Sequence, residues 1–392
     1  MAQYPYLIVG GGMSAAAAVN GIREIDQQAE IGLISRESHP PYDRPPLSKG
    51  LWKGKPMEKI WRKIDRPGVV LHLGRKIVSL NLVNKQAVDD QGVSYTYDKL
   101  LLATGGSPRR LPIGVEGIVY FRTLEDYTLL RAQTGENRRF GVIGGGFIGS
   151  EIAAALTMNG QQVTMVFPEE GIGANIFPPE LSVFLKDYYR QKGVQVLSGE
   201  TIQEIERQDH GYTLKTRHGR KIEVDYVIAG IGIRPETELA VSAGLKVDNG
   251  IVVDEYLRTS QFDIFAAGDV ANFYNPAVGA RMRVEHEDNA LTMGRIAGKN
   301  MAGSLQPYHH LPYFYSDLFD LGYEAVGELN PTLEVFSDWL EPYQKGVIYY
   351  LKEGRVRGVL LWNVWGQVET ARTVIAESGP HRPSDLRGRL QR

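Results

Sequence analysis

Apolar and polar positions along the chain fall into an order that occurs twice. Tyr6–Val9 is an unbroken apolar run of strand length, closed by Gly10-Gly11-Gly12. An alanine-rich stretch to Ile22 follows and predicts a helix, and Glu30–Ser35 returns to a second short strand. The same order recurs over Arg139–Gly171: an apolar strand, a glycine cluster, a helix from about Gly149 to Asn159, and a strand over Val163–Phe167. Leu101–Pro112 reads as a strand ending in a Gly-Gly turn, and Thr259–Ala271 as an apolar strand ending in Ala-Gly-Asp. Lys192–Arg207 and Gly211–Gly232 alternate at strand period, with a hairpin at His218-Gly219. A helix is predicted over Asn289–Met301. Beyond about residue 309 the pattern is β-rich, and Glu353-Gly354 sits between two strand-like runs as a hairpin turn. The tail from Glu377 is polar and proline-containing and is predicted to be loosely ordered.

The two glycine clusters carry chemistry. In the first, Gly10, Gly12 and Ala15 form G-x-G-x-x-A; in the second, Gly144, Gly146 and Gly149 form the full G-x-G-x-x-G. Glycine at the first position permits a tight turn. At the second it lets backbone approach a pyrophosphate, and a small third residue lets helix and strand pack closely. Each unit ends its second strand near acids: Glu37 in the first, Glu169 and Glu170 in the second. A carboxylate there binds ribose hydroxyls. Glu169 and Glu170 favour NADH and repel the 2′-phosphate of NADPH, and no arginine stands nearby in the sequence to hold that group. Packing alone explains one such cluster, but not two complete units in order. Two dinucleotides, one of them a nicotinamide, point to FAD with NAD(H). The fold class expected is α/β: two Rossmann-like dinucleotide-binding domains, for FAD and NAD, plus an α+β C-terminal domain.

Composition narrows the chemistry. At 392 residues two or three domains are expected. The net charge of −2 gives no pull towards nucleic acid, and no apolar run approaches the roughly 18 residues of a membrane span. The N-terminus enters a strand almost at once, so no leader is read and the cytoplasm is the default compartment. There is no cysteine, which excludes disulfides, thiolate catalysis, a dithiol relay and cysteine-ligated metal centres. The adjacent His309-His310 pair does not suggest a metal site, because strand neighbours point to opposite faces, and no metal is expected.

Between the two units lies "HPPYDRPPLSKG" (His39–Gly50), stiff with proline and carrying one lysine. From the residues alone, Lys49 is either a surface loop lysine or a deliberately mounted charge. Together with "VIGGGFIGSE", "FPEEG", "RVEHEDNA", "FYSDLFDLGYEAVG" and "KGVIYYL…RVRGVLLWNVW", the segment "PYDRPPLSKGLW" resembles the two-dinucleotide flavoproteins of the glutathione reductase superfamily. Within it, the resemblance is to cysteine-free members: the apoptosis-inducing-factor type and the ferredoxin reductases of oxygenase systems.

That resemblance implies an FAD domain over 1–115 and 248–308, an NAD domain over 116–247 and a C-terminal domain over 309–392. It implies catalytic roles for Lys49, near flavin N5, and for Glu151, paired with Lys49 and touching the nicotinamide carboxamide. Asp269 would bond the ribityl chain, and Glu285 and His286 would open a helix aimed at the flavin ring. Arg44 and Arg109 would contact FAD phosphate or ring. Tyr315 and Glu324 would face flavin and nicotinamide, although Tyr315 also suits an ordinary core. Ile77, Phe147, Ile148, Gly232 and Gly268 complete the implied cofactor-binding set. Three positions depart from the pattern: Arg36, beside Glu37, replaces the family acid; Tyr315 replaces a tryptophan; and Asn175 replaces a lysine. The C-terminal region has no room for the long regulatory insertion of the animal proteins.

The function expected is an FAD-dependent NADH:acceptor oxidoreductase, monomeric or homodimeric. One alternative is a ferredoxin or rubredoxin reductase. The basic run Lys49–Lys63 suits an acidic ferredoxin-type partner, though such a run also suits a solvated face. The other alternative is a slow NADH sensor acting through a charge-transfer complex and dimerisation.

Overall fold

A computed structural model describes residues 2–390. The chain forms two compact units. The first holds Met1–Asp43, Met57–Ser107 and Arg234–Pro312; the second holds Arg44–Pro56, Pro108–Ile233 and Tyr313–Arg392.

In the first unit a sheet runs in the order Val69–His72, Ile31–Ile34, Ala2–Val9, Ser94–Leu102, Gln86–Asp89, Ile77–Asn81. The first four strands are parallel, and Ile31–Ile34 and the last three residues of Ala2–Val9 and of Ser94–Leu102 are buried throughout, which is why those stretches read as continuous apolar runs. Ser94–Leu102 divides its outer edge. Residues 94–96 pair with the antiparallel hairpin, while Leu100–Leu102 pair with Ile264–Ala266. A return strand more than 160 residues later thus closes the sheet beside the first βαβ unit.

Two helices, Met13–Ile25 and Glu287–Met301, pack closely on each other. The approach is possible only because glycine faces backbone: a Cβ at Gly298 would lie 2.1 Å from the Ala18 carbonyl oxygen, and one at Gly294 2.3 Å from that of Ser14. Along this interface Glu24 accepts from Arg295 Nε at 2.5 Å and from Lys299 Nζ at 2.8 Å. Chiefly the Arg295 bond holds its carboxyl down at about 2.

The second unit contains a parallel sheet in the order Gln195–Ser198, Gln162–Phe167, Arg139–Ile143, Tyr226–Ala229. A three-stranded antiparallel sheet (Ile202–Gln208, Gly211–Thr216, Lys221–Val224) packs Leu214, Ile222 and Val224 against Ile143, Val166 and Val227. A five-stranded antiparallel sheet, from Tyr313–Leu318 to Arg355–Trp362, makes up the C-terminal part. Its Glu353-Gly354 turn has φ of 52° and 71°, the left-handed pair that a two-residue hairpin requires. The His218-Gly219 turn is also present, closed by Gly219 N–H donating to the Thr216 carbonyl. No helix among the described residues is long and apolar enough to cross a membrane.

Two expectations need correction. The second nucleotide-type helix spans Phe147–Met158, with Gly146 as its cap, so it starts two residues earlier than its periodicity suggested. The tail is not loose over its described part. It forms a short helix, Pro383–Leu386, and buries Leu386 and Leu390 completely. Tyr349 Oη donates to the Leu386 carbonyl, and Gly388 N–H donates to Asp338 Oδ2 at 2.7 Å. Two leucines in a polar sequence were enough to dock it; Gln391 and Arg392 lie outside the described residues.

Gly298→Ala tests the helix contact. In an exposed helix this change stabilises by up to about 1 kcal/mol. Here a backbone oxygen blocks the methyl, so a loss of about 1–3 kcal/mol is expected in urea unfolding. An unchanged or raised midpoint would contradict the packing.

Candidate active site

Each unit builds the same glycine cradle. Gly10, at φ +124°, donates its N–H to the Ile34 carbonyl, and a Cβ there would meet the Ala103 oxygen at 2.1 Å. Gly144, at φ +116°, donates to the Val166 carbonyl, and a Cβ there would meet the Gly230 oxygen at 2.3 Å. Two positions on, Gly12 and Gly146 cap the following helices in extended conformation, without a side-chain cap. A Cβ at either would meet nothing within 4 Å, so open ground lies before the first-turn N–H groups. Ala15 is buried, and Gly149 packs on the Gly144 carbonyl. Both cradles suit a pyrophosphate.

The first unit gathers the implied FAD set. Arg36 is exposed and lies 3.5 Å from Glu236; Glu37 accepts from Tyr42 Oη at 2.5 Å. Ile77 buries its side chain in the core. Gly268 and Asp269 lie in a 3-10 turn, and the Asp269 carbonyl accepts from Arg283, which also pairs with Glu285 at 2.5 Å. His286 caps Glu287–Met301 through its backbone carbonyl, which accepts from Ala290.

The second unit gathers the rest. Pro45–Leu47 and Gly50–Lys53 are 3-10 turns pinned by buried Leu47, Leu51 and Trp52. Trp52 Nε1 donates to the Leu47 carbonyl at 2.7 Å, and its ring stands edge-on to Tyr127. The mount directs Lys49 inward: its Nζ lies 2.7 Å from Glu151 Oε1, with the side chains only 12% and 4% exposed. The ion pair that the resemblance implied is present. Because the helix starts at Phe147, Glu151 falls in its second turn, beyond the reach of the helix-end dipole. Ser48 Oγ donates to Glu151 Oε2 at 2.5 Å and Ser316 Oγ to Oε1 at 2.6 Å. Burial first, then the negative charge of Glu151, pushes the Tyr189 and Tyr323 phenols well above their usual range.

Lys49 also lies 5.3 Å from the centre of the Tyr315 ring. Glu324 stands opposite Tyr315 across the strand pair and accepts from Gly366 N–H. Phe147 packs edge-on to Phe314, and Ile148 follows it in the helix. Arg44 donates to the Arg122 carbonyl, and Arg109 donates through its backbone to Gly232. Asn175 is exposed.

Glu169 lies two residues beyond the strand Gln162–Phe167, and its carbonyl accepts from Gly199. The hairpin brings Arg220 and His218 to Glu200, at 3.3 and 3.0 Å, and Glu200 N–H donates to the Phe167 carbonyl two residues before Glu169. Glu200, Ser48 and Ser316 were not singled out in the sequence. Ser48 and Ser316 lie inside segments that carry the resemblance, but only the folded contacts show what they touch.

Family models match in two places. Residues 4–294 match pyridine nucleotide-disulphide oxidoreductases, covering both cradles. The chain belongs to that family. Residues 297–342 and 337–377 match the mitochondrion-associated C-terminal domain of apoptosis-inducing factor. This family member is therefore an FAD-dependent oxidoreductase that uses a nicotinamide dinucleotide, and without cysteine it carries no redox disulfide. It is 35% identical to apoptosis-inducing factor 1, mitochondrial, of Dictyostelium discoideum, over 95% of this chain and 78% of that protein. It is 38% identical to the 5,5′-dehydrodivanillate O-demethylase ferredoxin reductase subunit of Sphingobium sp., over 83% and 82%. A chain of the covalent putidaredoxin reductase–putidaredoxin complex superposes with a TM-score of 0.91 at 29% identity, covering 98% of this chain and 95% of that one.

A double-mutant cycle measures the ion pair. Glu151→Gln strands a buried ammonium and is expected to lower unfolding free energy by about 3 kcal/mol. Adding Lys49→Met should recover most of that loss. A double-variant loss equal to the sum of the separate Glu151→Gln and Lys49→Met losses would show that the pair contributes nothing as a pair.

Proposed function

We propose that this protein is an NADH:acceptor oxidoreductase that delivers electrons to a small acidic iron–sulfur protein of the ferredoxin type. The observation that carries this reading is the buried Lys49–Glu151 pair, mounted on the helix that leaves the second glycine cradle. FAD, when bound, supplies the chemistry: it accepts hydride from reduced nicotinamide and passes the electrons on. The cradle at Gly10, Gly12 and Ala15 holds its pyrophosphate, and Asp269, Glu285 and His286 hold the remainder. The cradle at Gly144, Gly146 and Gly149 holds that of NADH. Glu151 orients the carboxamide through its carboxylate, and Lys49 presents a fixed positive charge to the electron-accepting ring. On this reading, the FAD, NAD and C-terminal domains are those expected from the sequence.

Preference for NADH is supported by Glu169 and Glu170 at the strand end, and by the engagement of Arg220 with Glu200, which leaves that guanidinium committed to a carboxylate. The acceptor is supported by the exposed lysines Lys53, Lys55, Lys59 and Lys63 and by the ferredoxin-linked relatives.

Anaerobic titration with NADH and with NADPH, followed by an acceptor screen, tests the proposal. Bleaching by NADH and fast turnover with an acidic ferredoxin are expected; a colourless protein that takes up no FAD would overturn it. Lys49→Ala should retain FAD but slow reduction by NADH at least about tenfold, the scale of one lost electrostatic contact to a developing charge. Glu169→Ala should reduce the NADH:NADPH ratio of kcat/KM by about tenfold or more, roughly the effect of one charged contact. An unchanged reduction rate, or an unchanged ratio, would remove the corresponding residue from its role.

A further inference from the structure

Glu151 is served more fully than one ion pair requires. Its Oε1 accepts from Lys49 at 2.7 Å and Ser316 at 2.6 Å, and its Oε2 accepts from Ser48 at 2.5 Å. Both serines are themselves buried, at 5% and 1% exposure. They come from separate parts of the second unit, Ser48 from the proline-rich mount and Ser316 from the strand Tyr313–Leu318. The alternative acceptor for Ser48, the Pro45 carbonyl, is 3.5 Å away, so its proton goes to the carboxylate. Tyr323 lies within the field of Glu151.

A buried carboxylate remains charged only while donors replace the water it has lost. Lys49 alone supplies one. The two hydroxyls supply the others, and they add no charge that would pull Lys49 away. The titratable groups facing Glu151 are few. Lys49 comes from the mount, Tyr189 from the helix Pro179–Gln191, and Tyr323 from the strand Leu321–Gly327. Both phenols stay neutral, held so by burial. Asp317, next to Ser316, turns outward to Lys53.

We propose that Ser48 and Ser316 are positioning residues: by donating to both carboxylate oxygens they supply Glu151 with the donors that burial removes, and so hold Glu151 and its partner Lys49 at one place. The proposal rests on the reading of Lys49 and Glu151 given above. Each serine acts through Glu151.

The test follows anaerobic reduction of the holoenzyme by NADH from about pH 6 to 9, the span in which a buried carboxyl deprived of its donors titrates. The wild-type rate is expected to be flat. Ser48→Ala/Ser316→Ala should acquire an inflection in this span, with the rate falling about tenfold per pH unit on its acid side. Thermal unfolding of the same holoenzymes supplies a readout independent of turnover. The serine donors stabilise only the ionised carboxylate. The gap in Tm between wild type and double variant should therefore be widest at high pH and close as pH falls through the inflection. Ser48→Thr and Ser316→Thr, which keep the hydroxyls, should restore the flat profile. If the double variant does not fold, the two single alanine variants carry the same pair of measurements.

A flat profile in the alanine variants, with a Tm gap that does not change with pH, would overturn the proposal and leave the serines as packing residues. A wild type that NADH does not reduce would instead overturn the functional reading; the pH dependence of the Tm gap would still decide whether the serines hold the charge.

Discussion

Both units depend on a backbone approach too close for any side chain. At Gly10 and at Gly144 the turn after the first strand presses against a neighbouring carbonyl, leaving no room for a Cβ. That contact fixes where each following helix begins and so where its first N–H groups point. In the first unit the constraint extends along the helix, since Gly294 and Gly298 allow Glu287–Met301 to lie directly on Met13–Ile25. In the second it sets the start of Phe147–Met158, and that start decides where Glu151 faces.

Glu151 is then the point on which the second unit is arranged. It is a buried charge, so the fold must supply donors or lose stability. Two segments distant in sequence do so: the mount, with Ser48 and Lys49, and the C-terminal strand, with Ser316. The prolines of the mount make sense in this light. Pro45 and Pro46 restrict φ, buried Leu47 and Trp52 anchor the turns, and the flexible lysine stem has little choice of direction. Arranging donors around one carboxylate also ties the C-terminal sheet to the nucleotide-type sheet.

How legible this was depended on range. The cradles were readable because their glycines are local and their spacing is strict. The hairpins at His218-Gly219 and Glu353-Gly354 were readable for the same reason, since turn chemistry sits in two residues. The Lys49–Glu151 pair required the resemblance, because the two residues are about 100 apart and no local pattern connects them. Ser48 and Ser316 were illegible: serine is common in loops and strands, and donating to a buried carboxylate leaves no trace in spacing. The tail was misread because composition averages over residues, whereas docking was decided by Leu386 and Leu390.

The absence of cysteine gives the buried pair its particular meaning. A dithiol enzyme can store electrons in a protein bond, and its charges shift as that bond opens and closes. This chain has no such bond to open. On the proposed reading, every change of electron count falls on the cofactor, and the protein's task is to hold its own charges constant while that happens. A lone lysine would do this poorly, because a solvated ammonium wanders and its partner's protonation follows the medium. A lysine locked to a carboxylate that is itself locked by two uncharged donors does it well. The serines add rigidity without adding charge, so Lys49 presents the same field before and after each transfer.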